Sequence, residues 1–222
     1  MGKVIIQKRT TVDPITLIGE EAGVCWGSNT SDAMKNYKRG IDCLECKHGR
    51  TFEFPDVYMI LDGYSSKVIR EFYTHIGGMP TRLQESTRYV DYSKEMHIVV
   101  PEKILNNSES SIVYDNIMND IHDAYKKLIE LGIPKEDASM ILPFALETKV
   151  VCKFNLRTLL DMSHQRLCTR AFHEYRTLMK DMMKALSEYS PEWKLLCDNY
   201  FVPKCEYIGK CEEKHSCGRV KQ

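Results

Sequence analysis

The sequence has no excess of charge: 31 Lys and Arg stand against 31 Asp and Glu in 222 residues. General binding to nucleic acid or to an anionic membrane surface relies on a strong positive field, so the balance argues against both partners. A local basic pocket remains compatible with it. Long hydrophobic runs are also missing. The most apolar stretches, around 99–101 and 140–146, fall far short of the roughly 20 residues of a membrane helix. The opening Met1-Gly2-Lys3-Val4-Ile5-Ile6-Gln7-Lys8-Arg9 returns to charge too soon for a signal peptide, so a soluble, cytoplasmic chain is expected. Internal repeats and low-complexity tracts are absent. What is plentiful is cysteine: nine, an odd number, which without a secretion signal points to thiols or metal ligands more than to a disulfide frame. Hydrophobic residues at 43% and charged residues at 28% are ordinary globular values, and a chain of this length buries enough surface to fold without staples.

Periodicity and punctuation predict interspersed strands and helices without a regular β-α-β rhythm. Strands are expected over 3–10, 52–61, 96–100 and 148–154, with Pro55 marking a bulge or an edge. Helices are expected over 32–43, after Ser65-Ser66, over 112–131 and over 190–200. Gly77-Gly78-Met79-Pro80 must end the second of these. A short helix is expected from Pro134, and 155–189 reads as one long helix or two abutting ones. The tail from Phe201 reads as irregular and cysteine-rich. The expectation is a single α+β domain over 1–200, a mixed sheet packed with helices, with 201–222 as an appendage.

Two segments concentrate chemistry. In 70–92, paired glycines let the backbone approach a ligand closely. Alternating donors Arg82, Gln84, Ser86 and Arg88 then suit a polar, anionic, ring-bearing molecule lying along an extended chain; a solvated surface loop is the other reading. In 148–174, helical geometry places Met162, Arg166, Arg170 and Glu174 on one row, with Arg157, Asp161 and His164 on the next. Arginines of this kind suit bidentate phosphate or carboxylate binding, and a helix starting near Asn155 would point N–H groups at phosphate. A solvated helix face with a few ion pairs is the alternative.

At these residues the chain resembles the flavin-dependent thymidylate synthases. That family has an Arg-His-Arg triplet and, after a spacer, Glu-x-Ser-x-Arg-Tyr. Here Thr74-His75-Ile76 precedes Gln84-Glu85-Ser86-Thr87-Arg88-Tyr89. The later Asn-x-Arg-Ser-Leu, Leu-Arg and Gln-Trp-Glu elements are matched by Asn155-Leu156-Arg157-Thr158-Leu159, Gln165-Arg166 and Phe172-His173-Glu174. An upstream His-x-x-x-x-Glu is matched by His48 to Glu53. The blocks occur in order over about residues 45 to 180; the first forty residues and the tail carry little of the likeness.

The resemblance implies that fold, and reductive methylation of dUMP to dTMP by FAD reduced with NADPH, methylenetetrahydrofolate supplying the carbon. It implies a homotetramer with shared active sites. His48, Arg50, Glu53, Thr74, His75, Ile76, Gln84, Asn155, Arg157 and Asp161 correspond to FAD contacts. Glu71, Arg82, Gln84, Glu85, Ser86, Thr87, Arg88, Ser139 and Arg166 correspond to the nucleotide site. Arg166 and Ser86 are the catalytic pair: a guanidinium at the uracil edge favours the anionic ring and activates C5, while Ser86 positions or polarises the base. The chain departs from the family at Thr74 and Ile76, where two guanidinium groups are missing. It departs also at Glu71 (family Gln), at Gln84 (family Glu) and at Ser139 (family Arg). The spacer is two residues longer, and Arg82 within it is read as replacing one lost guanidinium. A diverged FAD- or nucleotide-binding paralogue without synthase activity is the competing reading. Cys205, Cys211, His215 and Cys217 lie within thirteen residues and offer a sulfur–nitrogen set of the type structural zinc takes; free thiols are the alternative. Cys43 and Cys46 form a second such pair. No catalytic metal is expected.

Overall fold

The computed structural model of the chain describes residues 2–78 and 80–220. Met79, within the segment read as ending a helix, lies outside them. In order the elements are β1 (Lys3–Ile6), α1 (Pro14–Cys25), α2 (Ala33–Glu45), β2 (Asp56–Ser65), α3 (Ser66–Phe72) and β3 (Thr81–Gln84). There follow α4 (Glu102–Leu105), α5 (Ser108–Glu130), α6 (Lys135–Ala138), β4 (Glu147–Asn155) and α7 (Leu156–Arg166). The chain ends with α8 (His173–Tyr189), α9 (Pro191–Asn199) and α10 (Lys204–Ile208).

Among the described residues the strands form one sheet in the order β1-β2-β4-β3. Gln7 N–H bonds Tyr58 O while Thr11 N–H bonds Asp56 O, so β1 and β2 run antiparallel. Ser66 N–H to Leu146 O and Leu156 N–H to Pro55 O give β2 and β4 the same relation. Along β2 and β4, buried Val57, Met59, Leu61 and Val150, Cys152, Phe154 alternate with wetter positions, the period of two expected for a sheet face.

Contacts group the chain into two compact units, each assembled from three stretches of sequence. The first comprises Met1–Lys3, Leu61–Glu71 and Leu83–Val150; the second comprises Val4–Ile60, Phe72–Arg82 and Val151–Gln222. Since the chain re-enters each unit, neither is a contiguous domain with its own linker. The first unit is centred on Tyr92, Tyr125, Ala138 and Leu146, with Leu128, Ile129 and Leu142 against them. In the second, Phe72 packs edge-on to Phe154, ring centroids 5.2 Å apart, and Leu159, Leu178, Met182 and Trp193 are fully buried.

Several local expectations need correction. Helix α1 has no counterpart in the sequence reading, because Gly19 and Gly23 interrupt its periodicity. Those glycines serve packing instead: a Cβ on Gly19 would run into the Asn36 carbonyl of α2, and one on Gly40 into the Ile15 carbonyl of α1. Helices that approach this closely need residues without side chains. The strand expected at 96–100 is a single bridge between Ile98 and Leu146. Of the two readings of 155–189, the structure has two helices, separated by residues 167–172 instead of abutting, so Arg170 and Glu174 do not continue the Arg166 row. Arg176 stabilises the break by donating from Nη1 to Thr169 O at 2.7 Å and Ala171 O at 2.5 Å. The tail is not wholly irregular, since Phe201 is buried and α10 follows it.

Candidate active site

In the second unit, the first turn of α7 organises the site. Asn155 is its N-cap, the side-chain Oδ1 accepting from Thr158 N–H at 2.9 Å. The Thr158 hydroxyl donates to Gly77 O at 2.7 Å, which pins the glycine loop against the helix. Gly78 has φ +71°, and a Cβ there would collide with Thr158 Oγ1. Both the left-handed backbone and the close approach demand glycine.

This anchored loop carries Thr74, His75 and Ile76. His75 is buried at 9% exposure and accepts from Arg166 Nε–H through Nε2 at 2.9 Å. A guanidinium N–H can only donate, so Nε2 holds the lone pair and the ring proton sits on Nδ1. Burial, then the charges of Arg166 and Arg82, depress the His75 pKa from the usual 6.5 to about 4. Near neutral pH, His75 is therefore an uncharged acceptor that orients Arg166. The Arg166 guanidinium lies 4.5 Å above the centroid of the buried Tyr175 ring, a cation–π contact, and its Nη2 reaches Thr74 Oγ1 at 3.5 Å. Arg82 donates from Nη1 to Phe72 O at 2.5 Å and from Nη2 to His75 O at 2.6 Å. Its guanidinium thus ties down the turn that carries His75, and a phosphate would compete with two carbonyls for it.

A cleft of 680 Å³ runs along this loop. Thr74, His75, Ile76 and Gly77 line one side and Thr158, Asp161, His164 and Gln165 of α7 another, while Lys204, Tyr207 and Ile208 of α10 supply the rest. Asp161 also lines a second cavity of 200 Å³ together with Arg157, His164 and Tyr207. Arg157 Nη1 pairs with Glu53 Oε1 at 2.6 Å and Arg50 Nη1 with Glu53 Oε2 at 3.1 Å, so one carboxylate joins both cations. Exposed His48 precedes that turn, its carbonyl accepting from the Thr51 hydroxyl. The expected flavin residues of this unit therefore cluster around the start of α7. Tyr175, Lys204 and Tyr207 were not singled out from sequence. Nothing local marks them, since their roles depend on what packs above them.

In the first unit, Gln84 Nε2 donates to Thr148 Oγ1 at 3.3 Å, and Glu85 Oε1 accepts from the Tyr92 hydroxyl at 3.0 Å. Ser86 opens a tight turn: its carbonyl accepts from Tyr89 and Val90 N–H, and its Oγ from Arg88 N–H. Thr87 lies within that turn. Arg88 Nε pairs with Glu136 Oε2 at 2.9 Å, and the Ser139 hydroxyl donates to the Glu136 carbonyl at 2.9 Å. Arg88 and Ser139 thus meet at one residue. Glu71, half-buried, lies in α3 at the end of the Leu61–Glu71 stretch. Of the expected catalytic pair, Ser86 belongs to this unit and Arg166 to the other.

All nine cysteines are free thiols. Cys168, Cys205, Cys211 and Cys217 line a cavity of 240 Å³ with His164 and His215. Among the described residues, however, no group of three or more His, Cys, Asp or Glu is placed to hold a metal ion, so the zinc reading finds no preformed site. Cys217 instead takes hydrogen bonds from the Thr169 side chain and the Arg219 backbone, which hold its thiol below the usual range. No helix of the described residues is long and apolar enough to cross a membrane.

Comparison with known proteins fits this geometry. Residues 8–192 match the family of the thymidylate synthase complementing protein. The flavin-dependent thymidylate synthase of Geobacter sulfurreducens is 26% identical over 189 residues, covering 82% of this chain and 81% of that protein. The enzyme of the same name from Nitratidesulfovibrio vulgaris is 28% identical over 207 residues, covering 87% and 82%. The crystal structure of flavin-dependent thymidylate synthase from Helicobacter pylori, complexed with FAD and dUMP, is similar at a TM-score of 0.69. The two share 19% identity over 86% of this chain and 98% of that one, a likeness of fold. With the match spanning most of its length, the chain belongs to the thymidylate synthase complementing protein family, and the two relatives that align with over four-fifths of it are flavin-dependent thymidylate synthases.

Proposed function

We propose that the protein is a flavin-dependent thymidylate synthase, a methyltransferase that converts dUMP to dTMP. The observation that carries this reading is the Arg166–His75–Tyr175 arrangement. A guanidinium held by a neutral imidazole at 2.9 Å and by an aromatic face at 4.5 Å keeps its charge and its plane. Placed at the O2/N3 edge of a uracil ring, such a group stabilises the negative charge that makes C5 nucleophilic. Ser86 positions the base, with Gln84, Glu85, Thr87, Arg88, Ser139, Glu71 and Arg82 as the remaining nucleotide residues.

The cleft suits a flavin dinucleotide in size and lining: 680 Å³, the Gly77 backbone, an uncharged His75 and apolar Ile76 and Ile208. When bound, FAD reduced by NADPH supplies the hydride that completes the methyl group donated by methylenetetrahydrofolate. His48, Arg50, Glu53, Thr74, His75, Ile76, Gln84, Asn155, Arg157 and Asp161 bind and orient it. Assembly into a cytoplasmic homotetramer with shared sites is part of this reading. It is supported by the apolar face that Ile112, Val113 and Ile117 leave exposed on α5, at 61%, 70% and 48%.

The purified protein is expected to show flavin absorbance, and to couple NADPH oxidation to tritium release from C5-labelled dUMP when folate is supplied. Arg166→Ala should abolish that release with flavin still bound; retained turnover would remove Arg166 from the chemistry. A yellow protein without release would favour the paralogue reading, for which Thr74, Ile76 and Ser139 are the supporting residues.

A further inference from the structure

The C-terminal segment lies beyond the family match, which ends at residue 192, yet it is not an idle appendage. Tyr207 of α10 stacks on His164 of α7, centroids 4.3 Å apart at 27°, and Lys47 Nζ sits 4.1 Å over the centroid of the same ring. His164 Nδ1 contacts Val202 O at 2.8 Å, and Arg170 Nε pairs with Glu213 at 3.2 Å. These bonds seat α10 along the 680 Å³ cleft, where Lys204, Tyr207 and Ile208 complete the lining.

Among the residues lining that cleft, Lys204 is the one Lys or Arg and Asp161 the one acid. The triplet on the opposite side contributes Thr74 and Ile76, neither of which carries charge. A flavin dinucleotide brings a pyrophosphate, and two negative charges in a half-enclosed cleft need a cation. We infer that Lys204 is a cofactor-binding residue, its ammonium group taking the phosphate charge of the flavin dinucleotide from the tail side of the cleft. The inference rests on the flavin reading above. Lys204 Nζ is paired with Glu212 Oε2 at 2.6 Å, both side chains being about half exposed or more. Exposed pairs of this kind are worth little, so a phosphate oxygen can displace the Glu212 carboxylate without large cost. Asp161 would repel phosphate, which leaves Lys204 as the charged group of the cleft lining suited to take it.

The test compares flavins with and without phosphate. Affinities of FAD and riboflavin are measured by quenching of flavin fluorescence for the full-length protein and for Lys204→Gln, Lys204→Arg and Glu212→Gln. Loss of one charge-assisted contact should weaken FAD binding by about tenfold in Lys204→Gln. Lys204→Arg should retain most of the affinity, and Glu212→Gln should tighten binding by removing the competing carboxylate. Riboflavin affinity should not change in any of the three. Unchanged FAD affinity in Lys204→Gln overturns the inference; so does an equal fall for riboflavin, which would assign Lys204 to holding α10 in place. Failure of the unsubstituted protein to bind any flavin is a different result, because it removes the flavin reading itself.

Discussion

The uncharged state of His75 predicts a particular sensitivity to acid. Its pKa is depressed from 6.5 to about 4 in the folded chain, so the unfolded chain binds the extra proton first as the pH falls. A depressed folded value means stability is fully present above pH 6.5 and is lost progressively down to about pH 4. Taking those two values, the loss from this group is about 2 kcal/mol at pH 5 and about 3 kcal/mol at pH 4. The physical content is simple: a proton on Nε2 would turn the acceptor of Arg166 into a second cation in a buried place. His75→Gln keeps an acceptor for Arg166 and cannot charge. Urea unfolding at pH 7 and pH 5 should therefore show the unsubstituted protein losing stability that the variant keeps. With a slope of about 2 kcal/mol per molar urea, the two midpoint shifts should differ by about 1 M. Equal losses in the two proteins would refute the buried, neutral imidazole.

Two further outcomes test how the site is supported. Gly78→Ala meets both a φ of +71° and Thr158 Oγ1, and should cost about 2 kcal/mol, lowering Tm by about 6 °C in a chain of this size. Gly77→Ala, whose added Cβ meets nothing within 4 Å, should be nearly neutral by the same thermal scan. Glu192 reaches from α9 to the start of α1, accepting from Ile15 N–H at 2.6 Å, Thr16 N–H at 3.0 Å and the Thr16 hydroxyl at 2.5 Å. Glu192→Ala should cost about 2 kcal/mol in chemical unfolding; a change under half that size would mean water replaces the carboxylate.

Much of the architecture was legible before the structure, and the sequence also supplied the site's candidate residues. Asn155 and Thr158 mark the start of α7 because capping is a local exchange between one side chain and a backbone two or three residues away. The aromatic and β-branched run in 52–61 and the alternation in 148–154 mark β2 and β4, because such side chains suit a pleated backbone that repeats every two residues, although β2 begins only at Asp56. The signature blocks around His48, His75, Ser86 and Arg166 supply the candidate residues through their resemblance to the family, and each could be matched because it is short and contiguous. The sequence alone also argued against a partner that needs a strong positive field and against a membrane helix, because both readings depend on composition rather than arrangement.

What only the tertiary structure decided are properties that arise between segments distant in the chain. Helix α1 could not be read from its own glycine-broken pattern, since the reason for Gly19 is the backbone of α2. Nor does any local signal say that His75 is neutral: its pKa comes from burial and from Arg166, ninety-one residues away. Tyr175 becomes the support of a guanidinium only because α8 packs beneath α7, and Lys204 comes to line the 680 Å³ cleft only because Tyr207 stacks on His164. Desolvation and charge pairing depend on which atoms surround a group in space. Sequence periodicity determines the backbone of elements such as β4 and α5, and folding alone determines that company.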